Sequence, residues 1–156
     1  MGQIHQLLGE YAESHRNGTN KLIHWICVPL IIISLIGLLW AIPVPRFFQE
    51  LPFIFNWGIL FVLLALVYYL LLSTPLALGM LLVSALFLWI VYQLDHLPTL
   101  PLWSVCLLIF VVAWMGQFVG HKIEGKKPSF LKDLQFLLIG PVWLLSFIYQ
   151  KLGIPY

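Results

Sequence analysis

Charge is what this sequence has least of. Only 9% of its 156 residues are Asp, Glu, Lys or Arg, against about 25% in soluble globular domains. A chain so poor in charge has too little polar surface to cover itself in water, which excludes a soluble fold. The net charge of +2 leaves no basic footprint for nucleic acid. Cysteine is scarce too. Cys27 and Cys106 both lie inside apolar runs, so a disulfide framework is excluded and both read as small core residues. The opening "MGQIHQLLGEYAESHRNG" has no basic stretch before a short apolar core and carries Glu10 and Glu13. It does not read as a cleavable signal, and the first apolar run is expected to serve as an uncleaved insertion signal. Gly2 has no Ser or Thr at residue 6 behind it, which gives myristoylation little support. HExxH, CxxC and clustered histidine boxes are all missing, so no compact metal motif exists.

What is present is apolar length. A membrane core takes about 20 apolar residues per helix. Four runs meet this, at about 22–42, 53–72, 76–94 and 102–119. A fifth, at 134–149, is shorter and holds Gly140–Pro141 near its middle. It reads as a kinked, re-entrant, interfacial or fifth spanning helix. Ahead of the first run, Ile4, Leu8, Tyr11 and His15 fall on one helical face, which predicts a helix lying along the interface. Asn17–Gly18 then breaks it, and Thr19 or Asn20 can cap the first span. The expected fold is an all-α integral membrane bundle in one domain, 1–156. It has four transmembrane helices, an N-terminal interfacial helix and the C-terminal segment.

Loop charge orients this bundle. With four spans, one side holds Arg16, Lys21, Lys122, Lys126, Lys127 and Lys132, and the other only Arg46. The positive-inside rule makes the N-terminus and the 120–133 segment cytoplasmic. Lack of a cleavable signal suits a bacterial inner membrane or the endoplasmic reticulum, and the short loops favour the bacterial one. Trp25, Trp40, Trp57 and Trp103 lie near span ends as interface anchors.

The same topology gathers the histidines. His15 ends the interfacial helix, His24 lies in the first turn of span one, and His121 just past span four. All three share the cytoplasmic layer. His96 belongs to the opposite loop, about 30 Å away across the hydrocarbon. Asn20 and His24 are four apart, and Gln117, His121 and Glu124 continue one stripe of span four. Polar residues in membrane helices face the bundle or a cavity, so these groups make a polar pocket. Neutral imidazole suits zinc, iron, copper and nickel. Three histidines leave open positions on a metal such as Fe(II). Blander readings stand beside this. Interfacial histidines can be satisfied polar residues, Asn20 a helix cap, and Glu124 a solvated charge pairing with Lys126 or Lys127. The cluster as a whole can serve helix packing in a non-catalytic lipid-binding or scaffold protein, since interhelical polar contacts contribute only about 0.6–2 kcal/mol each and need no metal.

Two stretches carry a resemblance. "YAESHRNGTNKLIHWICVPLI" and "WMGQFVGHKIEGKKPSFLKDLQFLLIGP" resemble the two end signatures of a small membrane-protein family. Its characterised fungal members are iron-dependent 2-hydroxy-fatty-acid dioxygenases of fatty acid α-oxidation, acting in phytosphingosine degradation. The resemblance implies a long-chain 2-hydroxy acid and O2 as substrates, and CO2 and the acid one carbon shorter as products. It implies Fe(II) held by His15, His24 and His121. Asn20, Gln117 and Glu124 match further motif positions and are assigned to the catalytic pocket. Arg16 and Lys21 could draw the substrate carboxylate to the interface while the acyl tail stays in the bilayer. Two departures stand out. Many members carry an acid shortly after the final Gly-Pro, where this chain reads "VWLLSFIYQK" with Ser146. Cys27 replaces a glycine common in the family.

Overall fold

The computed structural model describes residues 3–98, 100–125 and 136–156. Among them every regular element is a helix. In chain order they are α1 (Gln3–Ala12), α2 (Gly18–Trp40), α3 (Arg46–Gln49), α4 (Trp57–Leu72), α5 (Thr74–Asp95), α6 (Leu102–Ile123) and α7 (Ile139–Leu152). Three of them, α2, α5 and α6, are long and apolar enough to cross a membrane. At 22 or 23 residues each they reach about 33 Å. Their outward faces are apolar: Leu82 is 74% and Leu108 66% exposed. Contiguous apolar surface of this kind suits lipid, not water.

The second apolar run forms a shorter helix than its composition suggests. Asn56 accepts the Ile59 N–H and caps α4 there, so residues 53–56 stay outside it. The 16 residues of α4 span about 24 Å. The C-terminal run also shifts. Gly140 and Pro141 fall in the first turn of α7, not in its middle, where the missing proline N–H costs nothing. The 14 residues of α7 reach about 21 Å. Residues 134 and 135 of that run lie outside the described residues, as do Lys126, Lys127 and Lys132.

Helix α2 is the centre of the bundle and touches α4, α5, α6 and α7. Its longest interface is with α6, and small residues explain the close approach. A methyl added at Gly37 would meet Cys106 Sγ, one at Gly116 would meet Cys27 Sγ, and one at Gly120 would meet Asn20 Oδ1. Gly116 and Gly120 form a GxxxG pair, which lets membrane helices approach backbone to backbone. Cys27 thus packs into the groove at Gly116. The amphipathic face of α1 is covered by protein: Ile4, Leu8 and Tyr11 are buried in one cluster with Ile139, Val142 and Trp143 of α7. The Tyr69 hydroxyl donates to Leu138 O and the Tyr149 hydroxyl to Pro75 O, both at 2.8 Å. These bonds fix both ends of α7 to the α4–α5 hairpin.

Candidate metal centre

Three segments far apart in sequence deliver one imidazole each. Asn17, not Thr19 or Asn20, caps α2: its side chain accepts the N–H groups of Thr19 and Asn20. That start sets His24 in the second turn of α2. His121 lies in the last turn of α6. Helix α1 ends at Ala12, and a short turn carries the chain to His15, whose N–H donates to Ala12 O. The three side chains are 3%, 1% and 5% exposed for His15, His24 and His121. Ring centroids are 4.1 Å apart for His15 and His24, 5.1 Å for His24 and His121, and 5.4 Å for His15 and His121. One nitrogen from each lies within 4.8 Å of the others.

Two of the rings are oriented by backbone. His15 Nδ1 is 2.6 Å from Tyr11 O, and His24 Nδ1 is 2.9 Å from Asn20 O. A carbonyl only accepts, so each Nδ1 donates, and in the neutral ring Nε2 then carries the lone pair. This arrangement fixes the tautomer and orientation of metal-binding histidines. Tyr11 also stacks on His15, with centroids 4.2 Å apart and planes 12° from parallel, and Trp143 sits 5.1 Å from the same ring. The donor set suits a borderline divalent metal such as Fe(II). Metal–nitrogen bonds of about 2.1 Å place ligand atoms about 3 to 3.5 Å apart, within a small side-chain adjustment of the separation seen.

The other motif residues build the frame. Glu124 follows the last turn of α6, and Gly125 turns the chain away with φ 73°, a left-handed step that favours glycine. The carboxylate accepts three hydrogen bonds: from Arg16 N–H (2.8 Å), Asn17 N–H (2.9 Å) and Asn20 Nδ2 (3.0 Å). It ties the His15 segment and the start of α2 to the end of α6. Partial burial pushes this carboxyl up. The Asn17 N–H, the Asn20 amide, the Arg16 N–H and the charge of His15 together outweigh that and hold it below its ordinary range. Asn20 is fully buried. Its amide also donates to Ser14 O at 3.1 Å, while Oδ1 faces Gly120 and has no donor among the described residues. Gln117, one turn before His121, is buried and lines a small cavity of about 20 Å³ with Tyr11, Val28, Trp114 and Gly140. That is room for about one water. Arg16 and Lys21 lie on an open cleft that reaches His15.

The remaining histidines lie elsewhere. His96 caps α5 and bonds Tyr92 O through Nδ1. His5 stacks on Tyr156. Ser146, on the stretch without an acid, donates within its own helix to Trp143 O at 2.7 Å. Trp143 is the partner that sequence reasoning missed, since it reaches the site only through tertiary packing; helical periodicity already places Tyr11 on the face of His15.

No solved structure matches this chain. A family model described as "2-hydroxy-palmitic acid dioxygenase Mpo1-like" matches residues 1–152. The chain is 33% identical over 149 residues to the 2-hydroxy-palmitic acid dioxygenase MPO1 of Saccharomyces cerevisiae, covering 94% of this chain and 79% of the yeast protein. By both measures the chain belongs to the Mpo1-like family.

Proposed function

We propose that this protein is an Fe(II)-dependent dioxygenase that shortens long-chain 2-hydroxy fatty acids by one carbon. The observation that carries the reading is the convergence of His15, His24 and His121 in a buried cluster, in a chain similar to a 2-hydroxy-palmitic acid dioxygenase. The chemistry balances without another reductant. R–CH(OH)–COOH and O2 give R–COOH, CO2 and H2O. The bond between C1 and C2 breaks, four electrons leave the substrate, and O2 takes all four. Iron held by the three imidazoles would supply the redox chemistry with O2.

The chain's own residues do the rest. Tyr11 O and Asn20 O keep Nδ1 protonated on His15 and His24 and turn Nε2 inward. Glu124 and Asn20 hold the segment that carries His15, so their part is positioning. Gln117 lines the cavity beside the cluster. The membrane placement that goes with this reading has four crossings, with α4 as the short one. The N-terminus and the lysine-rich 120–133 segment face the cytoplasm, in a bacterial inner membrane. Incubating iron-loaded protein with 2-hydroxypalmitate and ¹⁸O2 tests the reading. Pentadecanoate carrying ¹⁸O supports it. Absence of the shortened acid from iron-replete protein overturns it and favours a lipid-binding or scaffold role.

A further inference from the structure

The open cleft beside His15 has walls of two kinds. Its volume is about 410 Å³, and Arg16, Lys21, Trp143, Phe147, Gly9 and Ala12 are among the residues that line it. His15 lines it too, whereas His24 and His121 do not. At its polar side stand two cations, Arg16 and Lys21, against one acid, Glu13. Its other wall is aromatic. Trp143 and Phe147 are successive turns of α7, with centroids 4.8 Å apart, and Phe147 in turn contacts Trp25 at 6.3 Å. Trp25 is 39% exposed on the outside of α2. A chain of aromatic contacts therefore runs from His15 to an exposed ring on α2. The facing wall is Gly9 and Ala12 of α1, the smallest side chains available. A Cβ at Gly9 would meet nothing within 4 Å, so packing does not require glycine there, and its effect is to leave the cleft open.

We propose that this cleft admits a single-chain fatty carboxylate sideways from the membrane. Arg16 and Lys21 hold the carboxylate at the rim, and Trp143, Phe147 and Trp25 guide the acyl chain. The proposal deepens the function given above and rests on it for the identity of the acid. Charge complementarity selects the occupant, because a net positive rim at one end of an aromatic trough matches an anionic head on one apolar tail. An acid held there has its C1–C2 end against His15.

Binding to metal-free protein tests this apart from catalysis. The protein is placed in neutral phosphatidylcholine nanodiscs and titrated with 5-doxylstearate, a fatty acid whose spin label quenches tryptophan. Saturable quenching is expected, and it should drop in Trp143→Phe. Gly9→Leu fills the cleft at a helical position with better helix propensity, so it should fold and abolish saturation. Arg16→Ala combined with Lys21→Ala removes both cations and should weaken binding at least tenfold, since one charge-assisted bond alone accounts for about that much. 2-Hydroxypalmitate should displace the probe, and neutral 1,2-hexadecanediol should not. His96→Ala, at the far end of α5, should bind the probe as wild type does. Unchanged saturation in Gly9→Leu overturns the cleft assignment. Displacement by phosphatidylglycerol as strong as by 2-hydroxypalmitate overturns it in favour of a headgroup site for bilayer lipid.

Discussion

Replacing Glu124 with alanine should weaken metal binding although no metal ligand is touched. The carboxylate accepts bonds of 2.8, 2.9 and 3.0 Å from three donors, two of them on the segment that carries His15. A typical intramolecular hydrogen bond contributes a net of about 0.5–1.5 kcal/mol. Arg16 and Asn17 are exposed, so water can replace part of the loss and the lower half of that range applies. Three bonds then total about 2 kcal/mol, which caps the loss of metal affinity at about thirtyfold. Glu124→Gln keeps one acceptor oxygen but turns an NH2 toward a donor, and should fall between wild type and alanine. Co(II) titration followed by its visible absorption reads the affinity. Hydrogen exchange at the amides of residues 16 and 17 reads the docking directly. Both amides should exchange faster in the alanine variant, with α5 unaffected. Wild-type Co(II) affinity together with unchanged exchange would refute the positioning role of Glu124.

The same carboxylate gives a pH signature in metal-free protein. Its folded pKa is lowered, so its contribution to docking is fully present above the ordinary carboxylate pKa of about 4.3. It is lost as pH falls through the lowered folded value. Protection of amides 16 and 17, corrected for intrinsic exchange rate, should therefore not fall between about pH 8 and pH 5 and should fall only in acid. Gly120→Ala pushes a methyl against Asn20 Oδ1 and close to Ile23 and should destabilise the α2–α6 pair by about 1–3 kcal/mol, measured by thermal unfolding in detergent. His96→Ala, at the far end of α5, should leave metal content unchanged by elemental analysis.

Much of this arrangement is legible in the chain because the membrane restricts the options. Helices α2, α5 and α6 follow from apolar length alone. With α4 running back between α2 and α5, the alternation of helices brings His24 and His121 to one layer, and periodicity in α1 brings His15 there. Where prediction and structure part, a local signal outweighed the apolar run. Asn56 stops α4 from extending back to Phe53, and Asn17 takes the cap from the residues behind it. Gly140–Pro141 starts a helix instead of bending one. Glu124 shows the limit best. Its place in the stripe with Gln117 and His121 is readable, but its bonds to Arg16 and Asn17 cross more than a hundred residues. No local pattern encodes them. The GxxxG pair was there to be read; that it faces Asn20 and Cys27 needed the packed structure.

The most direct test of the metal centre is the iron content of purified protein after anaerobic Fe(II) reconstitution, wild type beside His15→Ala, His24→Ala and His121→Ala. About one iron per wild-type chain, lost from each of the three variants, is the expected result for a single site built from three imidazoles. Iron retained at wild-type stoichiometry in all three variants, or zinc alone in the wild type, would contradict it.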